Sequence, residues 1–528
     1  MKQLKVGVID LTTKTATNSL YDRIMLANLA SIMPQVVATW CEKQGHDVSF
    51  VCYTGKEDLF EELPDDLDLV FIGAFTDSAL LAYALSRRFQ SRGASTVLGG
   101  PHARCYPEDA ARYFDYVLGF TDEQLIHDVL EDCSQHRPVG VHLASSGQPR
   151  SLPGVRERWK FVEATLRKAP LIKIVPMIGS LGCPYTCSFC IDATVPYQPL
   201  SFDVLKEDLR FLLTVHRKPH VGWHDPNFGV RFDDYMGAIE EAVPPGRIDF
   251  IAESSLSLLS EPHLERLRHN GFKAILPGIE SWFDLGNKSK TGVRTGMEKV
   301  ERIAEHVNLI LRYIPYIQTN FVLGLDVDAG NEPFELTKRF LDLAPGAFPG
   351  YSMLSAFGRA SLLNRDYQQQ GRVVPFPFHF LDNNQAMNVR PQNYSWAEFY
   401  DHLIDLCSYS FSTRAIYRRL RSNREFIPRW MNVVRAMSAE GFGRIRHHKE
   451  IRRRLDEDPE FLPFFNQEST VVPRFYRELV RKDLGDLWEW LPDGAIDHDP
   501  NAYRLSGAME TPSAIPILPA AELAAGTA

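Results

Sequence analysis

A short apolar run opens the chain at Leu4–Asp10, and others follow at Asp47–Tyr53, Asp68–Gly73, Ser95–Leu98 and Tyr116–Gly119. Runs of this length, bounded by turn residues, read as strands. Helical patterns stand between them at Ile24–Gln44, Asp77–Gly93 and Glu123–Cys133. The first carries Pro34 as an expected kink and ends at Gly45. Strands alternating with helices over residues 1–138 predict a doubly wound parallel sheet. Residues 139–165 are rich in Pro, Gly and Ser and read as a linker.

A second alternating series follows. Its predicted strands are Ile172–Ile178, His220–His224, Ile248–Ala252, Lys273–Gly278, Ile314–Leu323 and Gly350–Ser355. Helices are expected near 201–216, 232–243, 261–270, 295–311 and 332–343. Six strands alternating with helices over residues 166–357 predict a partial (β/α)6 barrel, with function at the C-terminal strand ends. Residues 358–493 turn helical, aromatic and arginine-rich. The aromatics Phe376, Phe378, Phe380, Tyr394, Trp396, Phe399 and Tyr400 are expected to pack against the barrel's open side. Residues 494–528, Ala/Pro/Thr-rich from about Ser506, read as a disordered tail.

Composition narrows the function classes. A net charge of -9 argues against a general nucleic-acid or anionic-membrane partner. Arg414, Arg418, Arg419, Arg421 and Arg424 crowd one stretch, and Arg444, Arg446, Lys449 and Arg452–Arg454 another. Both read as solvated faces, the second balanced by Asp456, Glu457 and Asp458. No run of 18 apolar residues suggests a membrane span, and the N-terminus lacks a signal-peptide pattern. Cys41, Cys52, Cys105, Cys133 and Cys407 show no disulfide-framework spacing. The expectation is a cytoplasmic enzyme.

The remaining cysteines lie in Gly182-Cys-Pro-Tyr-Thr-Cys-Ser-Phe-Cys190. Three thiolates on one short loop are too few for a closed zinc site, which takes four ligands. They suffice to hold a cubane iron–sulfur cluster with one iron open. A zinc knuckle or three unrelated thiols is the alternative. The C-x3-C-x-aromatic-C pattern of Cys183, Cys187 and Cys190 resembles the signature of radical S-adenosylmethionine (SAM) enzymes. That resemblance implies a [4Fe-4S] cluster whose open iron binds SAM, and whose one-electron reduction cleaves SAM to methionine and a 5′-deoxyadenosyl radical.

Further segments are similar to the family. Trp223-His-Asp-Pro-Asn-Phe228 resembles an acidic segment of cobalamin-associated members, with Pro226 in place of a second acid. It offers Asp225 for the SAM amino group or a sugar hydroxyl, against a turn-forming Asp-Pro. Glu253 and Ser254 stand where members place polar SAM contacts. Gly278-Ile-Glu-Ser281 resembles a Gly-Ile-Glu-Ser segment, so Glu280 and Ser281 become candidate SAM contacts, with helix capping by Ser281 as the alternative. Asn320–Asp326 resembles the segment passing the adenine, where Gly324 permits close backbone approach.

Residues 1–138 resemble the cobalamin-binding domain that precedes many such barrels, through Ile72–Ser78 with Gly73 and Thr96–Ala103 with Gly99 and Gly100. His46 and His102 are candidates for corrin contact, against surface or loop histidines. One departure is plain: the Asp-x-His-x-x-Gly motif is absent, its position reading Asp10-Leu-Thr-Thr-Lys14. Many members lack that histidine and leave the lower face of cobalt free.

The resemblance implies a cobalamin-dependent radical SAM enzyme, with methyl transfer to an unactivated carbon of a small-molecule or natural-product substrate as the reaction expected first. The radical removes a hydrogen atom, the substrate takes a methyl group from methylcobalamin, and a second SAM remethylates the cobalt. A radical cyclisation, rearrangement or oxidation without net methylation is the alternative within the family. A non-catalytic cobalamin or redox sensor is the alternative outside enzymes, and a tRNA-modifying enzyme is disfavoured by charge. The cluster implies an electron donor such as flavodoxin or ferredoxin. The sequence names no catalytic acid or base.

Overall fold

The computed structural model describes residues 2–16, 19–135, 141–145, 147–283 and 295–500. The tail expected to be disordered lies outside them from residue 501 onward. Strands β1 (Lys5–Leu11), β2 (Asp47–Tyr53), β3 (Leu69–Gly73), β4 (Ser95–Gly99), β5 (Tyr116–Leu118) and β6 (Val141–Leu143) form an all-parallel sheet in the order β2-β1-β3-β4-β5-β6. Alternate side chains sort to opposite faces. Leu69 and Phe71 join the core under helices Ile32–Lys43 and Glu123–Gln135; Val70 and Ile72 join the core under Ala79–Ser91. Helices on both faces make this the doubly wound layer that the alternation predicts.

Two details differ from expectation. The helix expected over Ile24–Gln44 is broken into Leu20–Met25, a 3-10 turn at Leu26–Leu29, and Ile32–Lys43. The break falls at Ala30 and Ser31, and Pro34 sits in the first turn of the new helix, where a missing N–H costs nothing. The stretch read as a linker carries β6 and helix Trp159–Lys168. Arg158, at the foot of that helix, is buried and donates to Gln35 Oε1 at 2.6 Å and to the Pro176 carbonyl at 3.0 Å. The segment therefore fastens the two sheets together. A three-residue strand leaves almost no period to read.

The second sheet holds β7 (Ile174–Met177), β10 (His220–Trp223), β11 (Asp249–Ala252), β12 (Phe272–Ile275), β13 (Gly278–Glu280), β14 (Tyr316–Leu323) and β15 (Phe348–Met353). Between β7 and β10 lies a separate ribbon, β8 (Ser180–Leu181) paired antiparallel with β9 (Gln198–Pro199). Every pairing in the second sheet is parallel, in the order β7-β10-β11-β12-β14, with β13 and β15 also on β14. The expected strand Lys273–Gly278 is thus two pieces. Pro277 stands at the break, offers no N–H, and gives its carbonyl to the Asn320 amide.

Flanking segments serve the two edges. Asn28 receives the Ile174 amide at 2.8 Å and donates to the Ile172 carbonyl at 2.9 Å beside β7. At the opposite side Arg435 donates to Tyr316 Oη and Gln318 Oε1 and lies 4.1 Å over the Phe348 ring. After β15 the chain forms a helix at Leu362–Gln369 and a run of helices between Trp396 and Leu484, joined by a stretch with only the 3-10 turn Phe378–Phe380; Phe376, Phe378, Phe399 and Tyr400 have no exposed surface. Of the arginine crowds, Arg419 is buried rather than solvated and donates to the Ser410 carbonyl. Arg452, Arg453 and Arg454 pair with Asp456, Glu457 and Asp458 as expected. Among the described residues no single helix is long and apolar enough to cross a membrane.

Candidate functional site

The cysteine loop hangs from the end of β7. The β8–β9 ribbon closes its base, and Leu200 N–H donates to the Gly179 carbonyl at 2.8 Å. Gly182 has φ +67°, and a Cβ there would lie 2.2 Å from the Pro196 carbonyl oxygen. Only glycine lets the two ends of the loop approach this closely. Cys190 N–H donates to the Cys187 carbonyl at 2.9 Å, and Cys183 N–H to Val195 at 3.3 Å. All three cysteines are half-buried, and the Asp192 amide donates to Cys190 Sγ at 3.4 Å.

Asp225 braces this loop from below. Its Oδ2 accepts the Gly179 amide at 3.0 Å, and its Oδ1 accepts Ser180 Oγ at 2.6 Å and the Tyr235 hydroxyl. It is 1% exposed, and burial pushes its carboxyl up against those donors. In this arrangement the carboxylate serves the foot of the loop. Gly179 is needed because a Cβ there would lie 2.5 Å from the Tyr235 ring.

The neighbouring strand ends gather around the loop. Tyr185 shares a 3.1 Å hydrogen bond with Ser257, beyond β11. Leu363 N–H, beyond β15, donates to the Ser188 carbonyl at 3.1 Å. Glu253 is exposed, whereas Ser254 is buried and donates to the Phe228 carbonyl. Ser255 donates to Asn227 Oδ1, leaving buried Asn227 Nδ2 with no hydrogen-bond partner among the described residues. Glu280 holds φ +67°, a strained conformation for a residue with a side chain, and its carboxylate folds back over Gly278. Ser281 Oγ accepts the Phe283 amide at 3.2 Å and its carbonyl accepts Lys299 Nζ; a helix capped by Ser281 would run into residues 284–294, outside the described residues. Gly324 has φ +84°, but Met387 and Phe399 fill the space beside it, and Asp328 takes its amide. It serves as a turn residue under the C-terminal region, so the close approach expected there is made by Met387.

The C-terminal edge of the first sheet faces the same loop. Gly99 opens onto free space; Gly100, at φ +93°, presses its backbone to Ala74, with a Cβ 2.8 Å from the Ala74 oxygen. Gly73 instead makes room for Pro34, whose ring a Cβ would meet at 2.9 Å. Neither histidine is a surface group. His102 is fully buried, bonded to Tyr83 Oη at 2.6 Å, and burial pushes its pKa down to about 3. His46 is buried and accepts the Leu4 amide. At the position of the missing histidine motif, Thr12 is bonded to the Tyr53 carbonyl and Lys14 to Asp382 and the His379 carbonyl. Arg104 spans the gap between sheet edge and loop, pairing with Asp192 at 3.0 Å.

Among the described residues no three His, Cys, Asp or Glu side chains converge as ligands of one metal ion do. A cubane cluster needs no such convergence, since each thiolate binds a different iron. Soft half-buried thiolates with an N–H aimed at one sulfur fit that group. For a corrin, only Gly99 among the proposed glycines keeps open space.

No protein-family profile matches the chain. It is 22% identical over 399 residues to bacteriochlorophyllide d C-12(1)-methyltransferase of Chlorobaculum tepidum, covering 73% of this chain and 83% of that one. To the C-8(2)-methyltransferase of the same organism it is 25% identical over 325 residues, 58% of this chain and 70% of the relative. The structure of the cobalamin-dependent SAM radical enzyme OxsB with aqua-cobalamin bound matches the fold over 96% of this chain and 83% of that one, with a TM-score of 0.53 at 14% identity. In sequence the chain is thus similar to these methyltransferases, and in fold to a cobalamin-dependent SAM radical enzyme. Its α/β architecture of parallel sheets and a helical C-terminal region is similar to that of the OxsB structure. Sequence reading found the three cysteines but passed over Ser180, Asn227, Tyr235, Arg104 and Asp192. Asn227 was legible beside Asp225; Tyr235 reads like any core aromatic on an amphipathic helix.

Proposed function

We propose that the chain is a cobalamin-dependent radical SAM methyltransferase acting on an unactivated carbon of a small-molecule substrate. The observation that carries the reading is the cysteine loop lodged between the C-terminal edges of two parallel sheets. In this reading residues 1–138 seat cobalamin, residues 166–357 form a partial (β/α)6 barrel for SAM, and residues 358–493 cover the substrate. The cofactors supply the hard chemistry, a carbon radical and a methyl group; the protein orients and shields.

Cys183, Cys187 and Cys190 hold three irons of the cluster. Asp225, Ser180 and Tyr235 keep their loop at the mouth of the second sheet. The Glu253, Glu280 and Ser281 strand ends, with Asn227, offer carboxylates and an amide to the amino and ribose groups of SAM. Gly99 admits the corrin, and Gly100 fixes the turn that exposes it. Lys14, Asp77 and Asp382 close the space between the first sheet and the C-terminal region. Buried aromatics from residues 376–400 keep water from the radical. A flavodoxin- or ferredoxin-type protein supplies the electron.

Anaerobic reconstitution of the full chain with iron, sulfide and hydroxocobalamin tests the assignment. The expected product binds about four irons and about one cobalamin per chain. Cys190→Ala is expected to lose most of the iron while keeping the cobalamin. Stable zinc in place of iron, or no retained corrin, contradicts the reading.

A further inference from the structure

We propose that Arg104 is a positioning residue for the iron–sulfur cluster, reaching from the first sheet to aim a backbone N–H at Cys190. This rests on the cluster assignment above and adds to it a residue from a different part of the chain. Arg104 lies on the short helix Pro101–Cys105, directly after the Gly99-Gly100 turn. Its Nη2 donates to the Ile191 carbonyl at 3.0 Å, and its Nη1 to Asp192 Oδ1 at 3.0 Å. The Asp192 amide donates to Cys190 Sγ at 3.4 Å.

The Ile191 carbonyl and the Asp192 N–H belong to one peptide plane. A trans peptide points the two groups in opposite directions, so fixing the carbonyl fixes where the N–H points. The Asp192 carboxylate, held by the other arm of the same guanidinium, prevents that plane from rotating. Arginine suits this task because its donors form a rigid fork; lysine carries the charge without the fork. The Phe120 ring, 4.7 Å from the guanidinium carbon, holds the side chain from its other face.

Hydrogen bonds to cluster sulfurs and nearby charge set the reduction potential. A cation and an N–H at Cys190 both favour the reduced, more negative cluster. Arg104 therefore raises the potential and eases the first electron transfer. Because it follows the Gly99-Gly100 turn, it ties the cluster to the edge of the first sheet.

An EPR-monitored redox titration of the reconstituted full-length chain tests this, with iron content and thermal midpoint measured in parallel. Arg104→Met is expected to keep its iron and its fold, but to shift the cluster's midpoint potential to a more negative value and alter its EPR signal. Arg104→Lys is expected to move the potential in the same direction by less. If Arg104→Met loses iron, the lysine variant alone carries the test. A fully loaded variant with the wild-type potential and signal overturns the proposal. Failure of the wild-type chain to assemble a four-iron cluster instead overturns the cluster assignment, so the two failures are distinguishable.

Discussion

Asp225 anchors the foot of the cysteine loop through three donors on a single buried carboxylate. Removing one of them by Tyr235→Phe should cost about 1–3 kcal/mol in a urea titration, since the carboxylate stays buried. Gly182→Ala should do more local damage: with φ +67° and the Pro196 oxygen in the way, the loop cannot close, and iron loading should fall well below wild type. Asp10 gives a pH signature. Among the described residues its Oδ1 has no partner, its Oδ2 accepts the Ser31 amide, and burial pushes its carboxyl up to about 7. Between roughly pH 4 and pH 7 the folded chain keeps a proton that the unfolded chain has released, so this contribution to stability is lost as pH rises. Asp10→Asn should therefore gain on the order of 1–3 kcal/mol at pH 8 and little at pH 4, read from urea midpoints. At this scale the thiolates were legible because spacing alone reveals a shared loop. The work of Asp225 was not, because the sequence shows the carboxylate but not its donors.

The turn after β4 separates two glycines that look alike in sequence. A Cβ at Gly99 meets nothing within 4 Å, whereas one at Gly100 strikes the Ala74 backbone at a left-handed φ. Gly100→Ala should lower the thermal midpoint and weaken cobalamin retention together. Gly99→Ala should leave the midpoint unchanged and weaken only cobalamin retention, if the corrin approaches there; equal retention would remove Gly99 from the site. Elements were readable where the apolar period ran long enough: Asp47–Tyr53 and Glu332–Leu343 fall where the pattern put them. Short or interrupted elements were not. The strand Val141–Leu143 spans one and a half periods, and the break at Pro277 is masked by apolar neighbours on both sides. Pro34 misled because a helix start and a helix kink use the same residue.

At the scale of the molecule, two parallel sheets face the cysteine loop with their C-terminal edges, joined by Arg158 behind and Arg104 in front. None of these joints has a local sequence signal: Gln35 with Arg158 and Arg104 with Ile191 are far apart in the chain. The order of two parallel sheets and a helical region could be read, but the side chains that join the sheets could not. The central claim, that this meeting of edges brings a radical source to a methyl donor, is tested most directly by counting products. Reconstituted full-length chain is incubated anaerobically with SAM and dithionite, with and without cobalamin, and deoxyadenosine, methionine and S-adenosylhomocysteine are quantified. The account predicts deoxyadenosine in both samples, S-adenosylhomocysteine only with cobalamin, and loss of deoxyadenosine in Cys190→Ala. Deoxyadenosine without any cobalamin-dependent S-adenosylhomocysteine would contradict it.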